Sequence, residues 1–110
     1  MKHFFIAVCL LQYIVITNLQ AHTIKKLGLE EGLSNSYVVD IVEDKNGYIW
    51  IATEEGLNKL EGGKFTSFYK ANKGKLINLT GNELNSLFDD PNEPILWIGT
   101  QRAGLISFNY

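Results

Sequence analysis

The chain has 110 residues, 10 basic against 12 acidic, a net charge of −2, and 45% hydrophobic residues. That balance excludes a dedicated nucleic-acid binder, which needs clustered Lys and Arg, and the length leaves room for one small domain. A single cysteine excludes an internal disulfide framework.

The first element stands apart from the fold. Lys2 and His3 precede an apolar run over residues 4–17, broken only by Gln12, and Asn18, Leu19, Gln20 and Ala21 form a more polar exit. This is the layout of a secretory signal peptide cleaved after Ala21, although Leu19 replaces the usual small residue at −3. The run is about 14 residues, short of the roughly 20 needed to span a bilayer core. Cys9 lies inside the run behind Val8, which argues against a lipidated cysteine. Residues 1–21 are therefore expected to be a leader. The rest, residues 22–110, is expected to be periplasmic or secreted, with no membrane span of its own after cleavage.

Strand signals follow. Residues 23–28, beginning TIKKL, suggest a short outer strand. Residues 37–42 are rich in β-branched and aromatic side chains, and Asn46-Gly47 then marks a hairpin before a second strand over 48–53. Glu54, Glu55 and Gly56 turn the chain into a third strand over 57–60. Glu61, Gly62 and Gly63 turn it into a fourth over 64–69.

The next segment pulls two ways. Thr80 and Glu83 have the spacing of a helix capping box, and Leu84, Leu87 and Phe88 follow at helical spacing. Against this stands an internal repeat. When residues 33–60 are written above 79–108, Leu33 pairs with Leu79, Val38 with Leu84, Ile41 with Leu87 and Asp44 with Asp90. Trp50 pairs with Trp97, Ile51 with Ile98, Ala52 with Gly99, Thr53 with Thr100, and Gly56-Leu57 with Gly104-Leu105. Repeats share structure, so residues 82–89 are expected to form a strand like their β-branched counterpart.

Residues 48–51 are apolar on both faces of their strand, which suits a sheet covered on both sides rather than one wet on one face. Sheets stacked between like sheets are the blades of a propeller. The expected fold is therefore all-β: two four-stranded antiparallel β-propeller blades, an incomplete propeller, with blade one over about 33–69 and blade two over about 79–110. Trp50, Thr53 and Gly56, repeated as Trp97, Thr100 and Gly104, form the structural core of the repeat. The two indoles are expected between blades, and Ala52 and Gly99 are expected to be small so that adjacent backbones can approach.

The stretch LSNSYVVDIVEDKNGYIWIATEEGLNKLEGGKFTSF resembles the two-component regulator propeller repeat. The resemblance rests on the Leu-Ser-Asn opening, the acidic turn with Asn-Gly, the Gly-x-Ile-Trp-Ile-small-Thr core, Gly-Leu and the closing Phe, and it extends over residues 27–110. The second copy departs where Glu93-Pro94 replaces Asn46-Gly47 and where Ala103 lengthens a turn. The resemblance implies the periplasmic sensor part of a membrane-bound regulator, often a hybrid histidine kinase, that responds to carbohydrates, commonly oligosaccharides. Such sensors carry more repeats, a β-sandwich, a membrane helix and a kinase, so the chain is expected to be the N-terminal part of a larger sensor. The alternative is a free-standing two-blade glycan-binding protein that assembles from several copies, since propellers typically need roughly 4–8 blades.

Signs of catalysis are lacking. His22 is the one histidine beyond the leader, no serine has a partner base for a triad, and no His/Cys/carboxylate group has metal-ligand spacing. The adjacent acid pairs fall in turns. Neither an enzyme nor a cofactor is expected. If a sugar binds, the loops between second and third strands offer Glu54, Glu55, Gln101 and Arg102, whose carboxylates, amide and guanidinium suit a hydroxyl-rich ligand. The expected partners are an oligosaccharide and further propeller blades, in a longer chain or in other copies.

Overall fold

In a computed structural model, residues 20–69, 75–76 and 81–110 are described. Residues 1–19, most of the expected leader, lie outside them. The first sheet has the order β1 (Val38–Glu43), β2 (Ile49–Thr53), β3 (Gly56–Glu61) and β4 (Lys64–Tyr69), all antiparallel, with a two-residue β5 (Lys75–Leu76) added parallel to β4. The second sheet is β6 (Leu84–Asp89), β7 (Ile95–Thr100) and β8 (Leu105–Asn109). The all-β, two-sheet expectation holds.

Two details differ. The second sheet has three strands where four were expected. Residues 23–27 form no strand. A strand there needs an unpaired neighbouring edge, and this segment instead runs near the β3–β4 turn, where Lys25 Nζ comes 3.7 Å from a Cβ built on Gly63. The β1–β2 hairpin forms around Asn46-Gly47 as expected. Among the described residues only glycines have a positive φ, so Asn46-Gly47 is not the two-residue turn that needs both central residues left-handed. The turn is Asp44 to Gly47, closed by Gly47 N–H donating to Asp44 O at 3.1 Å, with Gly47 at φ +84. The β3–β4 turn is the one with two left-handed centres, Gly62 (φ 56) and Gly63 (φ 77).

The helical spacing of Leu84 and Leu87 has a strand explanation. The β6–β7 ladder slips between Leu84 and Ser86, and β1–β2 slips at the equivalent place between Val38 and Asp40. A bulge inserts one unpaired residue and reverses the alternation of faces. Leu84 and Leu87, three apart, therefore point to the same side, and both are buried in the core.

That core is the seam between the sheets. Trp50, Ala52 and Leu57 of the first sheet meet Leu84, Leu87, Leu96 and Ile98 of the second, with Val39, Val42, Phe68, Ile106, Phe108 and Tyr110 packed around them. Trp50 is ringed by Phe108 edge-on at 5.4 Å, Phe68 at 5.8 Å and Tyr110 at 6.3 Å. The inner strands β1 and β6 lie side by side across the seam. The Leu87 amide donates to Asp40 Oδ2 at 2.8 Å. At the outer end Lys45 Nζ reaches across to Asp89 Oδ2 at 3.1 Å and to the carbonyls of Asp90 and Glu93, while Tyr110 Oη donates to Asp89 Oδ1 at 2.6 Å.

Trp97 departs from expectation. It lies on the face of its sheet turned away from the seam, opposite Phe88 and Ser107, and is half-buried where Trp50 is 2% exposed. The reason is tertiary: Trp50 faces a second sheet, and among the described residues nothing covers the face bearing Trp97.

Candidate functional site

Each sheet ends its β2–β3 or β7–β8 connection in the same device. Thr53 Oγ1 accepts from Glu55 N–H at 3.0 Å and donates to Gly56 O at 3.1 Å. Thr100 Oγ1 accepts from Ala103 N–H at 2.8 Å and donates to Gly104 O at 2.7 Å. The threonine hydroxyl thus closes a turn whose exit needs a left-handed residue, Gly56 at φ 107 and Gly104 at φ 72. This gives the Thr-to-Gly spacing of both repeats its physical meaning.

Each turn is then pinned to the chain leading into its inner strand. Glu54 N–H donates to Tyr37 O at 3.2 Å, and Gln101 N–H to Glu83 O at 2.9 Å. One more bond crosses the seam, Gly56 N–H to Asn82 O at 2.8 Å. The two turns therefore stand side by side at one end of the inner strands.

Between them lies an open cleft of about 500 Å³, lined by Asn35, Glu54, Glu55, Asn82, Glu83, Gln101 and Arg102. All four residues singled out from the sequence are on its walls. Sequence reasoning missed Asn35, Asn82 and Glu83, which come from the segments before β1 and β6. The usable signal was the repeat itself, since positions 37 and 83 are equivalent and adjoin the two turns. Arg102 Nε lies 3.6 Å from Glu83 Oε2, with the Arg102 side chain 85% exposed. Such an exposed pair contributes little to stability and leaves the guanidinium available. Three carboxylates face one guanidinium, so acidic charge predominates.

The departure of the second repeat is accommodated locally. A Cβ on Gly81 would lie 2.8 Å from Ala103 Cβ. The residue that lengthens the second turn thus occupies the space that a side chain at 81 would need, and the equivalent position in the first repeat carries Asn35.

Below the first turn lies a polar network in the first sheet. The Asn58 side chain, fully buried, accepts Ser34 N–H at 3.0 Å and donates to Ser34 Oγ at 2.8 Å, and Ser34 Oγ meets Thr53 Oγ1 at 2.9 Å. Ile106 stands at the Asn58 position in the second sheet. Asn58 gives no signal in sequence beyond its place between Leu57 and Lys59.

Antiparallel sheets stacked face to face, with repeated inner strands side by side and connecting turns gathered at one end, define a β-propeller. Residues 32–55 match the model of the two component regulator propeller family. Over 78% of its length the chain is similar, at 52% identity and a TM-score of 0.71, to a solved structure described as the "extracellular domain of the putative hybrid two component system BT3049 from B. thetaiotaomicron". Over 35 residues it is 51% identical to Histidine kinase P4 of Formosa agariphila. The chain spans 12% of the solved chain and 3% of that kinase, which correspond to 78% and 32% of its own length. The part matched in the solved protein is an extracellular domain. Among the described residues no helix is long and apolar enough to cross a membrane.

Proposed function

We propose that this chain is an exported sensor segment of a two-component regulatory system, and that it binds an oligosaccharide in the cleft between its two turns. The observation that carries the reading is the cleft itself: both repeats contribute equivalent turns to one polar site above the seam. Carboxylates, amides and a guanidinium offer several hydrogen bonds to sugar hydroxyls, and the excess of acidic groups favours neutral sugars over acidic ones. The signal-peptide layout of residues 1–21 supports export, and the small share of each relative that the chain spans supports its being one part of a larger sensor. Because the site straddles the seam, a ligand touching both turns changes the fit of one blade on the other, which is a route for passing a signal to a kinase.

Isothermal titration of the full chain with a panel of neutral and acidic oligosaccharides tests the reading. Binding of a neutral oligosaccharide is expected, weakened by Gln101→Ala and Arg102→Ala with the far-UV spectrum unchanged. A panel with no binder, or a binder indifferent to both substitutions, overturns it.

A further inference from the structure

Asn58 is fully buried on β3, beneath the first turn. Ile106 stands at the matching place in the second sheet, paired with Ile98 as Asn58 is with Ile51. An apolar side chain therefore fits this position. An amide there must have its hydrogen-bonding capacity met, since burying it otherwise costs stability. What it binds then explains its presence.

All four hydrogen-bond positions of the Asn58 amide are taken, and their chemistry fixes the direction of each bond. Oδ1 faces Ser34 N–H at 3.0 Å, which can only donate, and Ser67 Oγ at 2.8 Å. Nδ2 faces Ile51 O at 3.3 Å, which can only accept, and donates also to Ser34 Oγ at 2.8 Å. Ser34 Oγ then gives its own proton to Thr53 Oγ1 at 2.9 Å. Thr53 Oγ1 also accepts from Glu55 N–H and passes its proton to Gly56 O. That hydroxyl is thereby filled, with two bonds accepted and one donated. The bonds run one way, and bonds in such a chain strengthen one another.

The relay ends on the wall of the cleft. Ser34 leads into Asn35, whose Oδ1 accepts from Tyr37 N–H at 2.7 Å, and Tyr37 O accepts from Glu54 N–H at 3.2 Å. Asn35, Glu54 and Glu55 are the first repeat's share of the lining. They sit on a closed circuit of hydrogen bonds with Asn58 at its buried end. Gln101 and Arg102 stand on a turn tied through Thr100 and Glu83, and the Ile106 side chain can neither give nor take a hydrogen bond. We propose that Asn58 is the positioning residue of the cleft: acting through Ser34 and Thr53, it holds the Asn35, Glu54 and Glu55 wall in one geometry, while the Gln101 and Arg102 wall adjusts to what binds. This deepens the sugar-binding reading and rests on it. The fixed wall sets which pattern of hydroxyls is accepted, and the adjustable wall closes on it.

Amide hydrogen exchange of the full chain, followed by NMR without any sugar, reads the positioning directly. Ser34→Ala removes the hydroxyl from the middle of the relay at a half-buried site and keeps the backbone bond to Asn58 Oδ1. Exchange at Glu55 is expected to quicken at least about 10-fold relative to Ile98, the reporter of the second sheet. Ser34→Thr keeps the hydroxyl and is expected to restore the wild-type rate. Asn58→Ile, copying the second sheet, is expected to quicken exchange at Ser34, Glu54 and Glu55 together. A Glu55 rate that moves only in step with Ile98 reduces Asn58 to support of the whole fold and overturns the proposal, as does a failure of Ser34→Thr to restore it. Titration with the oligosaccharide panel is the second arm. For a sugar that the wild type binds, Ser34→Ala is expected to weaken affinity at least about 10-fold. An unchanged affinity beside a loosened turn overturns the role in binding. A panel with no binder sinks the sugar reading, and the exchange pattern by itself then decides whether Asn58 sets the wall.

Discussion

Trp50 Nε1 donates to the carboxylate of Asp44 at 2.7 Å, with both groups buried, and Trp97 repeats the bond to Asp90 at 3.0 Å. The other oxygen of each aspartate holds the turn between the two strands: Asp44 Oδ1 accepts from Asn46 and Tyr48 N–H, and Asp90 Oδ1 from Asn92 and Glu93 N–H. One carboxylate thus joins a hairpin turn to the aromatic side chain that fills, or faces, the space beside its sheet.

Replacing Asp44 with Ala leaves a buried indole N–H without its acceptor and frees the turn. A loss of about 1.5–3 kcal/mol is expected, the range for hydrogen bonds to charged groups. Asp90→Ala costs less, because Trp97 is half-exposed and water replaces the carboxylate. Urea unfolding of the two variants, compared at equal m value, checks the order. Equal losses would contradict the difference in burial.

The two small residues of the repeat should respond differently. Ala52 is fully buried in the seam, so Ala52→Leu overpacks it at about 1–3 kcal/mol. A Cβ at Gly99 clashes only with Ser86 Oγ, the Ser86 Cβ and N lying at 3.6 and 3.8 Å. Rotating that hydroxyl clears the space, so Gly99→Ala changes stability by less than about 1 kcal/mol. Thermal unfolding of both variants measures the contrast.

Acid dependence follows from Asp90. The Trp97 indole bond, then the Asn92 and Glu93 amides, hold its carboxyl below the ordinary 3.8. The folded state therefore favours the charged form. The contribution is complete above the unfolded value and is lost as pH falls from there through the depressed one. Asp90→Asn is expected to flatten the stability profile below about pH 4 and leave the neutral region's slope unchanged. An unaltered acid limb would rule this out.

Alkaline dependence has the opposite sign. Desolvation and the bond to Asp89 raise the Tyr110 hydroxyl above its ordinary 10.0. Lys45 is also raised: desolvation pulls it down, but Asp89, Tyr110 and Asp90 together outweigh that pull. Both groups contribute fully below their unfolded values, and that contribution is lost as pH rises through the folded ones. Trp50 emission, ringed by Tyr110 and Phe108, should report the seam loosening above about pH 10, and Tyr110→Phe should lessen the change.

Gly81→Val forces the turn bearing Ala103 outward, moving Gln101 and Arg102 relative to Glu54 and Glu55. Oligosaccharide affinity is expected to fall at least about 10-fold, or ~1.4 kcal/mol. Because Gly56 N–H bonds Asn82 O beside Gly81, a drop in the unfolding midpoint would show the seam loosening as well. Titration beside thermal unfolding separates the two effects.

The sequence carried the repeat, the strands and the turn chemistry. The fourth strand at Lys64–Tyr69 was placed to the residue, and the threonine-to-glycine spacing already specified a turn that the structure closes through a side-chain hydroxyl. Local chemistry of this kind acts between neighbours in the chain, so pattern reveals it. Leu84 and Leu87 stand at the limit of such reasoning: their helical spacing is real, and the bulge that puts them on one face of a strand appears only in the pairing with β7. What tertiary structure alone decided is which copy of each residue is buried. Trp50 and Trp97, or Leu57 and Leu105, are equivalent in sequence and in local geometry, yet only the first of each pair has a second sheet against it, because burial depends on what packs across a face and not on the strand that presents it.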